Sequence, residues 1–116
     1  MLARLVALGA AVAVCGIGVV HGTWAVGGSD SSCYALMADA FARGALQPTS
    51  TLATEAPWPG APRTLAPGGF IPSPVRMDAA SPICTPGFSL LLAPFRVAGG
   101  PDGIFWLTPL AGALLV

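Results

Sequence analysis

Lysine is absent from this sequence, histidine occurs once, and charged residues make up only 9% of the 116 positions, with a formal net charge of zero. Binding to a nucleic-acid backbone draws on clustered Lys and Arg, so that class of function is excluded and no nucleic-acid partner is expected. Cysteine is scarce as well. Cys15, Cys33 and Cys84 stand in no metal-ligand spacing, and His21 is far from the last two, which argues against a zinc site. Asp30, Asp39, Glu55 and Asp78 show no spacing that suits a hard cation. No metal, no cofactor and no internal repeat are therefore expected.

What the chain has in abundance is apolar surface. Hydrophobic residues make up 54% of it, and its mean hydropathy is +0.76, outside ordinary soluble usage. No residue from Leu5 to Val20 is charged, and up to Ser29 only Cys15 and His21 can titrate. At about 1.5 Å per residue, roughly 20 such residues cross a hydrocarbon core of about 30 Å. Arg4 precedes the run and Trp24 follows it at interface depth. Residues 1–26 are therefore expected to form a transmembrane helix. Its small residues, among them Ala7, Gly9, Gly16 and Gly18, suit close helix neighbours. Arg4 places the N-terminus in the cytoplasm and Asp30 outside. A competing reading is a cleaved signal peptide, with Arg4 as n-region, Leu5–Val20 as h-region and Thr23-Trp24-Ala25 as the cleavage site. Both readings put the middle of the chain outside the cytoplasm.

Gly27 and Gly28 break the first helix, and Ser29 or Asp30 is a candidate cap for the next. From Ser31 to Arg43, Cys33, Tyr34, Leu36, Met37, Ala40 and Phe41 recur at helical spacing, Asp39 and Arg43 form an i,i+4 pair, and Gly44 stands at C′. This predicts a short amphipathic helix near 30–43. It either lies in the membrane interface, with Tyr34, Met37 and Phe41 toward lipid or protein, or covers the surface of a secreted domain.

Ala45 to Pro86 holds nine prolines, which forbid helix interiors and central strands. Trp58, Leu65, Phe70 and Ile71 are anchors that a disordered linker lacks, so an ordered extended loop is expected. Cys33 and Cys84 either form a disulfide pinning this loop or remain free thiols. A second juxtamembrane helix is predicted near 86–97, with Pro94 and Arg96 closing its apolar stretch, followed by a turn over Gly99–Gly103. Residues 103–116 read as the start of another transmembrane helix. Because Leu107–Val116 stops without a polar flank, the chain is expected to be a fragment of a multi-pass membrane protein. The expected fold class is mainly α and integral membrane. Residues 27–102 make an extracytoplasmic loop between the first helix and the truncated second.

Two motifs carry a family resemblance: Gly28-Ser29-Asp30-Ser31-Ser32-Cys33-Tyr34 with its helix to Gly44, and Thr85-Pro86-Gly87-Phe88-Ser89-Leu90-Leu91-Leu92-Ala93-Pro94. Their order, separated by a proline-rich outer loop, resembles the N-terminal part of GT-C superfamily membrane glycosyltransferases, such as protein mannosyltransferases and aminoarabinose transferase. The second motif is similar to that family's P-P-G-Y-P-L-L-L pattern. The resemblance implies a polyprenyl-phosphate sugar as donor and Asp30 as the catalytic carboxylate near its anomeric carbon. It also implies the remaining transmembrane helices of a full-length chain as partners, beside membrane lipid. Such a carboxylate takes the acceptor hydroxyl's proton, and the leaving lipid phosphate needs a guanidinium. Arg43, Arg63, Arg76 and Arg96 are available for that, and no motif selects among them. Many family members carry a second acidic residue where this chain has Ser31, and the loop is longer and richer in proline. The alternative is a small membrane-anchored or secreted non-enzymatic protein in which Asp30 only caps a helix.

Overall fold

With neither proline nor charge between Leu5 and Val20, nothing interrupts the backbone bonds of the first segment. The computed structural model, which describes residues 1–116, forms one helix there, α1, Leu2–His21. It is long and apolar enough to cross a membrane. None of its residues is buried. The indole N–H of Trp24 donates to the Val19 carbonyl at 3.1 Å, satisfying a carbonyl that the helix end leaves free.

The second helix, α2, spans Gly28–Ala42. It starts two residues earlier than expected, and neither Ser29 nor Asp30 caps it. Gly27 is the N-cap, no side chain bonds the free amides, and Asp30 instead sits in the first turn, where a negative charge complements the helix dipole. Its C-terminus follows expectation. Gly44 adopts φ +72°, its N–H donates to the Phe41 carbonyl at 2.9 Å, and Ala45 N–H donates to the Ala40 carbonyl at 2.8 Å. This is a Schellman motif, and the left-handed residue at its centre is where glycine is needed.

The proline-rich stretch is ordered, as its anchors suggested, but contains more regular structure than an extended loop. Two single-turn helices, α3 (Leu52–Glu55) and α4 (Ala61–Thr64), precede an antiparallel hairpin of β1 (Phe70–Pro72) and β2 (Ala80–Pro82). The strands are three residues long, short enough for proline to sit in a two-stranded ribbon without losing a central ladder. Phe70 alone of the expected anchors is buried; Trp58 and Ile71 lie about half exposed. Phe70 packs with Cys33, Met37 and Ala80 in the small core that joins hairpin to α2. A disulfide between Cys33 and Cys84 ties the same two regions together. The approach is so close that a Cβ on Gly69, itself at φ +84°, would lie 2.5 Å from the Ser29 carbonyl oxygen and 2.6 Å from Cys33 Cβ.

The fifth helix, α5, runs Pro86–Gly99, two residues past the expected 97, with Pro94 inside it. Pro94 removes only the bond to the Leu90 carbonyl, on a residue more than half exposed. The expected turn at Gly99–Gly103 is instead a 3₁₀ helix, Gly100–Trp106, which leads directly into α6, Leu107–Leu114. That winding lies tightly on α5, since a Cβ on Gly103 would fall on the Phe95 carbonyl.

These elements pair in two sets. Gly18 of α1 lies against Pro109 of α6, and Val14 against Gly112, so α6 returns antiparallel along the C-terminal half of α1. Gly9 and Gly16 meet no neighbour. In the other pair, α2 buries Cys33, Met37, Ala38 and Ala40 while α5 buries Ser89 and Leu92. The Tyr34 ring stacks edge-on against Phe88 with centroids 5.3 Å apart, and Asp39 bonds Arg96 at 2.6 Å. Contacts advance together along both helices, so α2 and α5 run in the same general direction. The face of α2 expected to turn toward lipid or protein meets protein: Met37 is 2% exposed, because α5 and the hairpin occupy that side.

Candidate functional site

Where the two helix pairs meet, they leave a half-open cleft of about 650 Å³. Val14, Ile17 and Gly18 of α1 form one wall, and Phe88 and Leu92 of α5 with Tyr34 and Ala35 of α2 form the other. Phe105 of the 3₁₀ helix and Pro109 of α6 also line the cleft. Trp24 packs on Phe105, with its ring centroid 5.8 Å from that residue and 5.9 Å from Trp106. The lining has no charged residue, and the hydroxyls of Thr23, Ser31, Tyr34 and Thr108 are its polar side-chain groups. Such a space suits an apolar chain carrying a few hydrogen-bonding groups, and it supplies no acid or base of its own.

Asp30 stands at the rim of this cleft rather than in its wall. It is exposed, one position before Ser31 and one helical turn before Tyr34, a spacing that puts neighbouring Cβ atoms about 5–6 Å apart. Its one side-chain contact is a long hydrogen bond accepted from the Ser29 hydroxyl at 3.5 Å. No protein family, curated protein or solved structure matches the chain. The site must accordingly be judged on its own chemistry. A carboxylate on the first turn of a helix, beside an uncharged cleft, has room to meet a hydroxyl-bearing molecule whose apolar part lies within.

The arginines considered for a phosphate are mostly engaged. Arg43 and Arg96 both pair with Asp39, whose side chain is 20% exposed. The sequence shows the Asp39–Arg43 pair through its i,i+4 spacing but not Arg96, which arrives from another helix 57 residues further along. Arg76 donates from Nε to Asp78 Oδ1 at 3.1 Å and from a terminal nitrogen to Oδ2 at 2.7 Å. These bonds hold the Asp78 carboxyl below the usual carboxylate range and raise the Arg76 guanidinium. Asp78 is thus a turn residue with a partner of its own. Arg63, on α4, makes no ion pair. No three His, Cys, Asp or Glu side chains come together in a cluster that would hold a metal ion.

Cys33 and Cys84 are bonded, with Cα atoms 6.2 Å apart, which decides between the two states that the sequence left open. Cys15 on α1 is the free thiol. Sequence reasoning missed the role of Tyr34 and Phe88 as a pair across the cleft wall. Their only sequence signal is that each follows a helix start by a few residues.

Proposed function

We propose that this chain is the N-terminal part of a membrane glycosyltransferase that moves a sugar from a polyprenyl-phosphate donor outside the cytoplasm. The observation that carries the reading is the placement of Asp30 at the rim of an uncharged cleft formed jointly by α1, α6 and the α2–α5 pair. Two further features support it. Leu5, Val6, Leu8, Val12, Ile17 and Val20 of α1 are each more than half exposed. Taking six such side chains out of water is worth on the order of 10 kcal/mol, which favours a bilayer around α1. A disulfide between α2 and the segment leading into α5 fits an oxidising compartment, and so an extracytoplasmic position for that region.

In the reaction, Asp30 accepts the proton of the acceptor hydroxyl as its oxygen bonds the anomeric carbon. The bond from that carbon to the phosphate oxygen breaks, and the lipid phosphate leaves with the electron pair. The carboxylate is open to water here, so the mechanism requires further helices of a longer chain to enclose the rim and exclude water from it. Asp30→Asn in the full-length protein is expected to abolish transfer while leaving expression and membrane insertion intact. Normal turnover by that variant removes Asp30 from the mechanism.

The exposure of Asp30 favours a second reading, a membrane-anchored protein without catalysis. There the carboxylate only complements the α2 dipole, a contribution of about 0.3–1 kcal/mol. Asp30→Asn would then cost a little helix stability and no activity.

A further inference from the structure

Trp58 is the one tryptophan that packs on no other aromatic ring. It stands in the proline-rich segment between α3 and α4 and is 47% exposed. Its backbone and its ring are nevertheless both held. The Trp58 carbonyl accepts from the Ala61 N–H at 3.1 Å, and the indole N–H donates to the Thr64 hydroxyl oxygen at 3.1 Å. That hydroxyl has the Gly60 and Ala61 carbonyls as its own acceptors, at 3.1 and 3.2 Å. Pro57, Pro59 and Pro62 restrict the backbone on either side. Ala61 turns inward, at 1% exposed. Arg63, two positions on in the single turn of α4, is exposed. It adjoins Thr64, the residue that touches the indole, with Cα atoms about 3.8 Å apart.

We propose that Trp58 and Arg63 form a platform for a saccharide that bears carboxylates. One sugar ring lies on the indole, and its carboxylate meets the guanidinium. Three observations select this ligand. First, an indole whose N–H is satisfied inside the fold presents a bare apolar face, and the C–H side of a pyranose is a flat apolar surface of similar size. An indole that anchors a chain in lipid turns its N–H to the headgroups instead. Second, Arg63 forms no ion pair, either with Glu55 of the neighbouring α3 or with any other carboxylate. Its charge and its fork of donors are therefore free for a planar carboxylate. Third, hydrogen bonds and prolines already order the indole, so binding costs it little side-chain freedom. Neither residue lines the cleft beside Asp30. The platform is thus a separate site, and the assignment holds whether or not the chain transfers sugar.

Calorimetric titration of the full chain in detergent micelles tests this, with tryptophan emission read in parallel. The probes are oligomers of galacturonic acid, of galactose and of glutamic acid. The acidic sugar is expected to bind saturably and shift the emission to the blue, and the neutral sugar to bind at least about tenfold more weakly. Trp58→Ala should abolish binding and shift together. Trp58→Phe keeps an aromatic face and should retain calorimetric binding within about tenfold of the wild type. Arg63→Gln should lower the affinity for the acidic sugar to that for the neutral one. Four results overturn the assignment: no binding of the acidic sugar, binding that survives Trp58→Ala, binding lost in Trp58→Phe, or equal affinity for oligoglutamate, which has the charge without the ring.

Discussion

Removing the Cys33–Cys84 bond should release the hairpin from α2, and the size of the effect can be worked out. The bond closes a loop of 51 residues, for which the chain-entropy relation gives about 4 kcal/mol at 25 °C. Little else is available to compensate. The core joining hairpin to helix consists of four buried residues, and Cys33 is one of them. Alanine at both positions keeps that core apolar, so the dominant loss is the constraint itself. Two amides within the hairpin region report on docking, because a ribbon of three-residue strands does not persist alone: Ile83 N–H donates to the Gly69 carbonyl and Ala80 N–H to the Pro48 carbonyl, each at 3.0 Å. At about 1.4 kcal/mol per factor of ten, Cys33→Ala/Cys84→Ala should accelerate exchange at these amides by about three orders of magnitude. Amides in the middle of α1 should not change. Hydrogen exchange read by mass spectrometry on the reconstituted chain measures both, and reduction of the wild-type protein should reproduce the variant. Acceleration of less than about tenfold would show that packing, not the crosslink, holds the hairpin, and the reasoning would fail.

Gly69→Ala should destabilise the same junction by about 1–3 kcal/mol, because the new methyl meets the backbone of α2 and the residue is left-handed. Gly60→Ala, with open space around it, is the control, and thermal unfolding should separate the two. The Arg76–Asp78 pair gives a pH dependence of defined sign. Asp78 binds its proton more weakly in the folded chain, so its stabilisation is complete above the ordinary carboxylate value of about 3.9. It is lost as pH falls through the lower folded value. The carboxyl carbon of Asp78 should titrate below the normal range, and Arg76→Ala should return it there.

How far the fold is legible depends on whether a feature is local. The charge-free run announced α1, Gly44 announced the end of α2, and Pro86 announced the start of α5, since each acts through bonds within a few residues. The expected helix near 86–97 already ran through Pro94, at a local cost of about 3 kcal/mol in a helix interior; what the sequence did not show is the packing that offsets it. Here Leu92 is buried against α2 and the 3₁₀ helix lies on Phe95. Pairings across the chain left no mark in the sequence. Gly18 with Pro109, Tyr34 with Phe88, and Asp39 with Arg96 are invisible until the helices are placed. The periodicity of α2 correctly announced a covered face, but periodicity carries no information about what does the covering. Of the candidate site, the helix that carries Asp30 was legible. The cleft beside it was not, because its walls come from five separate elements.

That geometry also narrows the choice of cation for a departing phosphate. Asp30 and Asp39 are nine positions apart on α2, which is about 13 Å along the axis and half a turn around it. The two guanidiniums gathered at Asp39 therefore lie on the other side of the helix from the rim of the cleft. They are held there by a carboxylate that is four-fifths buried and shared between them. Pulling Arg96 away to meet a phosphate would leave the mostly buried Asp39 with one partner, and would loosen the contact that pairs α2 with α5. Arg76 is held by Asp78 through two bonds in the hairpin turn. Of the four arginines beyond α1, Arg63 is the one without an acidic partner. The proposed sugar transfer at Asp30 would thus require either Arg63 brought to the rim by movement of the proline-rich loop, or a cation contributed by other helices. The first route couples the loop to catalysis and makes Arg63→Ala costly; the second leaves that variant fully active.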